Sequence, residues 1–192
     1  MNDFKTYFLW GWEHIISLDA LDHILFITAL AVIFRMKEWK QVLVLVTAFT
    51  IGHFITLWLA VLDLIRFSPE WVEFLIPLTI VVTSIVNLFN MSAKWSIGLH
   101  YGLALGFGLI HGMGYANAIR FSLMEEQSLG WSLFAFNLGL EIGQFFVVLV
   151  ILLLGGSVIH FTKFSMRLWV VIISLIILLL SLNMMVDRIP KI

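Results

Sequence analysis

The sequence predicts an all-α, polytopic membrane protein of about six transmembrane helices gathered in one bundle, a single domain over residues 1–192. Three observations carry that expectation. Only 12% of the 192 residues are charged while 61% are hydrophobic, against roughly a quarter charged in a soluble domain. Mean hydropathy is +1.05. Apolar runs of ~20 residues, the length that a ~30 Å hydrocarbon core demands of a helix, recur down the chain.

The first span is expected from Glu13 to Phe34, stopping at the charged turn Arg35-Met36-Lys37-Glu38. The second runs from Gln41 to Leu62, ahead of Asp63, Arg66 and Pro69. The third covers Trp71 to Phe89, with Pro77 expected to bend it. The fourth runs from Ser96 to Ala118 and the fifth from Gly130 to Leu154, ended by Gly155-Gly156. The sixth, Met166 to Val186, is closed by Asp187, Arg188 and Pro190. Gly98, Gly102 and Gly106 lie four apart, as do Ala104, Gly108, Gly112 and Ala116, and Ala135, Gly139 and Gly143. Small residues at that spacing let helices approach closely in lipid, so tight packing of spans four and five is expected.

Composition also excludes. A net charge of −1 with no basic patch gives no surface for nucleic acid. With no cysteine, disulfides, thiolate metal sites, iron–sulfur clusters and cysteine nucleophiles are all ruled out. The N-terminus lacks a basic region, and its first apolar run is interrupted by Asp19, Asp22 and His23, so a cleavable signal peptide is not expected. Lysine and arginine counts orient the chain. Arg35, Lys37, Lys40, Lys94, Lys163 and Arg167 fall on one side; Lys5, Arg66, Arg120, Arg188 and Lys191 fall on the other. The small excess places both termini outside.

Ionisable groups within spans are costly and therefore mark function. Here they are His14, Asp19, Asp22, His23, His53, His100, His111 and Glu141, supported by Asn117, Asn137 and Gln144. Depth groups them. At ~1.5 Å per residue, Asp22, His23 and His53 sit ~14 Å in, His111 ~11 Å and Glu141 ~16 Å. Asn137, Glu141 and Gln144 form one stripe at i, i+4 and i+7. His100 and His111 share a helix face at different depths. Asp19 and His23, four apart, are either two ligands or a carboxylate orienting an imidazole. Imidazole and carboxylate without thiolate suit a divalent nickel, cobalt, zinc or manganese ion, and ligand type alone does not choose among them. A thioether from Met113 could be a further donor, although methionine in an apolar helix is usually packing filler.

These residues sit in motifs that resemble a known family, the HupE/UreJ group of small bacterial membrane proteins. Gly11-Trp12-Glu13-His14-Ile15-Ile16, leading to Asp22-His23-Ile24-Leu25-Phe26, is similar to its N-terminal signature. Phe49-Thr50-Ile51-Gly52-His53-Phe54-Ile55-Thr56-Leu57 resembles its second-span motif, with Phe54 where serine is usual. Gly108-Leu109-Ile110-His111-Gly112-Met113-Gly114-Tyr115-Ala116 and Phe136-Asn137-Leu138-Gly139-Leu140-Glu141-Ile142-Gly143-Gln144 resemble the later two. The resemblance covers about residues 11 to 150 and implies a nickel or cobalt permease of the bacterial inner membrane.

The expected function is a metal permease with lipid and a metal-ion substrate as partners, and a second copy of the chain left open. The cation would pass His14 and Asp19, bind at Asp22, His23, His53, His111 and Glu141, and leave past His100. No G-x-x-x-x-G-K-S/T loop exists for ATP. The rival readings are an intramembrane zinc hydrolase, bis-histidine haem ligation by His53 and His111, and an assembly or sensor subunit with a structural metal.

Overall fold

The computed structural model describes residues 3–89, 97–124 and 129–190, and among them every regular element is helical. The long helices are α1 (Asp3–Ile16), α2 (Leu21–Ala31), α3 (Trp39–Val61), α4 (Pro69–Phe89), α5 (Ile97–Met124), α6 (Leu129–Thr162) and α7 (Met166–Asp187). Proline opens α4, where its missing N–H costs no hydrogen bond. Ser165 caps α7, its hydroxyl accepting from the Leu168 N–H at 3.1 Å. Pro77 sits buried inside an unbroken α4.

Two sequence expectations need correction, and a third is supported in part. The first span is not one helix: α1 and α2 are separated by a 3-10 turn at Leu18–Ala20 and bent by 69°. At the start of α2 the Asp22 side chain accepts from the His23 backbone N–H at 2.8 Å, the kind of local bond that competes with a continuous helix. Nor does Gly155-Gly156 end the fifth helix, for α6 runs 34 residues to Thr162. A glycine costs a helix only about 1 kcal/mol, and Gly155 is where the Trp169 indole of α7 comes close. Finally, of the six spans expected, four helices among the described residues are long and apolar enough to cross a membrane, five with the bent pair counted as one. The 28-residue α5 has the length, but its glycines and two histidines dilute its apolar character.

Glycines do set the packing, and the structure supplies the partners that the sequence left unnamed. A Cβ on Gly52 would collide with the Leu105 carbonyl, one on Gly108 with the Phe49 carbonyl, and one on Gly112 with the His53 carbonyl. These contacts lock α3 to α5. Phe49 meets Gly108 and His53 meets Gly112, a step of four on each helix, so α3 and α5 run parallel. Likewise Gly11 meets the Phe136 carbonyl and Gly139 the Phe8 carbonyl, which locks α1 to α6. Among the described residues, nothing approaches Gly98, Gly102 or Gly106. Spans four and five therefore each pack tightly, but against α3 and α1 rather than chiefly against each other.

The bundle's core holds Phe26, Phe49, Leu57, Ile80, Leu133, Phe136 and Leu140. Outer faces are apolar as well: Leu149, Leu153 and Leu154 on α6 and Ile172, Ile176 and Leu179 on α7 are exposed. A helix apolar on both its inner and outer faces belongs in lipid.

Candidate metal centre

The two glycine-locked helix pairs deliver the site. His14 comes one turn after Gly11 on α1, His53 directly follows Gly52 on α3, and His111 comes one turn after Gly108 on α5. His23 arrives from α2, whose bend turns it back toward the other three. Ligand nitrogens of His14, His23 and His53 all lie within 4.8 Å of one another. Their ring centroids are 4.5 Å apart for His14–His23, 6.1 Å for His14–His53 and 6.3 Å for His23–His53. His53 is fully buried and His23 nearly so.

Hydrogen bonding leaves these rings with free nitrogens. His23 donates through Nδ1 to Asp22 Oδ1 at 2.9 Å, which puts its lone pair on Nε2, and that atom has no partner. Neither nitrogen of His53 is hydrogen-bonded, and His14 Nε2 is also buried and unpartnered. Buried polar atoms are normally satisfied. Four such nitrogens on three adjoining rings are donor atoms that could hold a metal ion.

His111 stands at the edge of this group. Its ring centroid is 5.1 Å from that of His23. Thr79 Oγ1 donates to the Ile76 carbonyl at 2.7 Å, so it accepts from His111 Nε2–H at 3.1 Å, leaving Nδ1 as a buried, unpartnered acceptor. Asn137 lies beside His53, donating through Nδ2 to the Leu133 carbonyl while its Oδ1 is unpaired.

The cluster opens on one side. A cavity of about 440 Å³ reaches it, lined among others by His14, Ser17, Asp22, Glu73, His111 and Arg188. Its walls come from the first turns of α4, the C-terminal half of α5 and the end of α7, which puts its mouth at the bundle end where α7 terminates. On the other side lie aromatic rings: Phe26 and Phe49 are 4.9 Å apart, and both touch His111 at 5.2 and 5.1 Å. Beyond them, Phe107 and His100 line a second, small cavity of about 20 Å³ with Asn87 and Leu45.

Two of the residues expected at the site stand elsewhere. Glu141 matches the cluster in depth but not in rotation: its carboxylate accepts from Thr47 Oγ1 at 2.7 Å. Thr47 precedes His53 by six residues, about 9 Å along α3. One turn further along α6, Gln144 Oε1 accepts from Thr50 Oγ1 at 2.9 Å. His100 is separated from the histidines by the aromatic rings. Side chains of Asp19 and Asn117 lie outside the described residues. Thr47 and Thr50, three apart on α3 like Glu141 and Gln144 on α6, are a signal that sequence reading passed over. Arg188, which lies 3.6 Å from Asp22, left no such signal.

A family model described as HupE / UreJ protein matches residues 1–188. The chain belongs to the HupE/UreJ family. The match takes in α1 to α7 and every histidine of the cluster. No curated protein and no solved structure matches the chain. The HupE/UreJ family is a family of bacterial membrane proteins associated with nickel and cobalt transport, and a cluster of unpaired imidazoles in apolar helices is compatible with that association.

Proposed function

We propose that this HupE/UreJ protein is a permease for a divalent transition metal of the nickel or cobalt type in the bacterial inner membrane, with both termini outside. One observation carries the reading: the ligand nitrogens of His14, His23 and His53 lie within 4.8 Å of one another, and four buried ring nitrogens among them are unpartnered. Imidazole nitrogens select borderline cations over magnesium or calcium, which prefer oxygen. Asp22 would fix the tautomer and orientation of His23, the usual role of a carboxylate behind a ligating histidine. His111, with Nδ1 free, would be a fourth donor. Asp19 would lie on the approach to the cluster, and Glu141, Gln144, Asn117 and His100 along the path away from it.

Access from one side, with aromatic rings closing the other, suits a carrier that exposes its site alternately. The membrane potential supplies the drive. At ~2.3 kcal/mol per charge per 100 mV, a dication moving inward gains ~4.6 kcal/mol, about a thousandfold in concentration. Nickel or cobalt uptake into proteoliposomes with a negative interior is the test. Uptake that depends on the imposed potential and disappears in His53→Ala is expected. Absence of uptake by protein that still binds metal would sink the reading.

A second reading has its own support. Three imidazoles beside a roomy, one-sided cavity also meet the needs of a catalytic zinc with an open coordination position. Exchange separates the two. A hydrolase would retain zinc through dialysis, whereas a permease site must release its ion on the timescale of transport.

A further inference from the structure

The two oxygens of Asp22 are used differently. Oδ1 accepts from His23 Nδ1 at 2.9 Å, and Oδ2 lies 3.6 Å from Arg188 Nη1. Arg188 follows the last residue of α7, where a cation is favoured by the helix dipole. It lines the 440 Å³ cavity together with Glu73 of α4. The side chain of Asp22 is 14% exposed and that of Arg188 33%, so the carboxylate is sheltered while the guanidinium reaches into the open cavity. A permanent positive charge thus stands on the path to a site whose other side chains await a cation.

Resting on the metal-site reading above, we infer that Arg188 is a selectivity residue: its guanidinium holds the cation position beside Asp22 until a substrate ion displaces it. The physical case is one of competition. An alkali ion brings one charge and no affinity for imidazole, so replacing a guanidinium of equal charge gains it nothing. A transition-metal dication brings twice the charge and bonds to ring nitrogen. The displaced guanidinium, tethered at the helix end, has Glu73 within the same cavity as its alternative anion. Asp22 is thereby kept charge-paired in the empty protein, where a lone carboxylate at this depth would be costly.

Equilibrium binding of nickel to the purified full-length chain in detergent tests this. Arg188→Gln is expected to tighten nickel binding, roughly fivefold, the ceiling for a partly exposed ion pair. Arg188→Lys keeps the wild-type constant, and in an Asp22→Asn background Arg188→Gln brings no tightening. A merely structural arginine would move the constant the other way. Unchanged or weaker binding by an Arg188→Gln protein that is helical and monodisperse overturns the inference. A second probe uses free guanidinium, which at millimolar concentration should weaken nickel binding to Arg188→Ala but not to the wild type; equal effects on both also overturn it. Wild-type protein that binds no nickel brings down the metal-site reading itself, an outcome distinct from a wild type that binds and variants that fail to tighten.

Discussion

Asp22 and His53 would serve the proposed metal site in different ways, and substitution should separate them. His53 is buried with both ring nitrogens unpaired, so its contribution to stability lies in packing and its contribution to binding in a donor atom. His53→Ala is expected to abolish measurable nickel binding in isothermal titration. Asp22 acts through His23 Nδ1. Loss of such an orienting carboxylate costs roughly 10- to 100-fold in metal affinity, and Asp22→Asn should fall in that range. Equal losses in both variants would contradict the separate roles. These residues were legible as candidates in the sequence because ionisable groups stood inside apolar runs. Their partners were not. Glu141 shares the cluster's depth, yet the rotation of α6 turns it to Thr47, and depth counted along a helix says nothing about the azimuth at which a side chain leaves it.

At the scale of elements, the parallel pairs α3–α5 and α1–α6 place the histidines, and glycine makes both pairings close. Gly108 abuts the Phe49 carbonyl while nothing among the described residues approaches Gly102, so identical substitutions should diverge. Gly108→Ala forces backbones apart at an overpacking cost of typically 1–3 kcal/mol and should lower the thermal unfolding midpoint in detergent. Gly102→Ala adds helix propensity of up to about 1 kcal/mol with no clash and should hold or raise it. A matched loss in both would mean that the glycine contacts are not what joins the helices. Sequence periodicity identified the small-residue faces but could not pair them, because Gly52 and Gly11, the glycines on the helices they face, are isolated in their own helices. The break between α1 and α2 was hidden for a related reason. Its polar residues read as site residues, and a hydropathy window does not register a 3-10 turn three residues long.

Over the whole molecule, the arrangement is a wide cavity, a cluster of imidazoles, an aromatic layer and a small second cavity, in that order. The layer of Phe26 and Phe49 predicts one-sided access, and a chain without cysteine suits the test. Ser17→Cys, in the wall of the wide cavity, should react with a membrane-impermeant thiol reagent added on the side where α7 ends, and nickel should slow the reaction. Thr83→Cys, beside the second cavity, should resist the reagent from that side; labelling of both from one face would contradict the seal.

The most direct measurement is X-ray absorption at the nickel edge of the purified, nickel-loaded chain. Three imidazoles from α1, α2 and α3 should give a nitrogen-dominated shell with the multiple scattering of about three histidine rings, reduced in His53→Ala. An oxygen-only shell with no ring scattering would contradict the convergence of these helices on one ion.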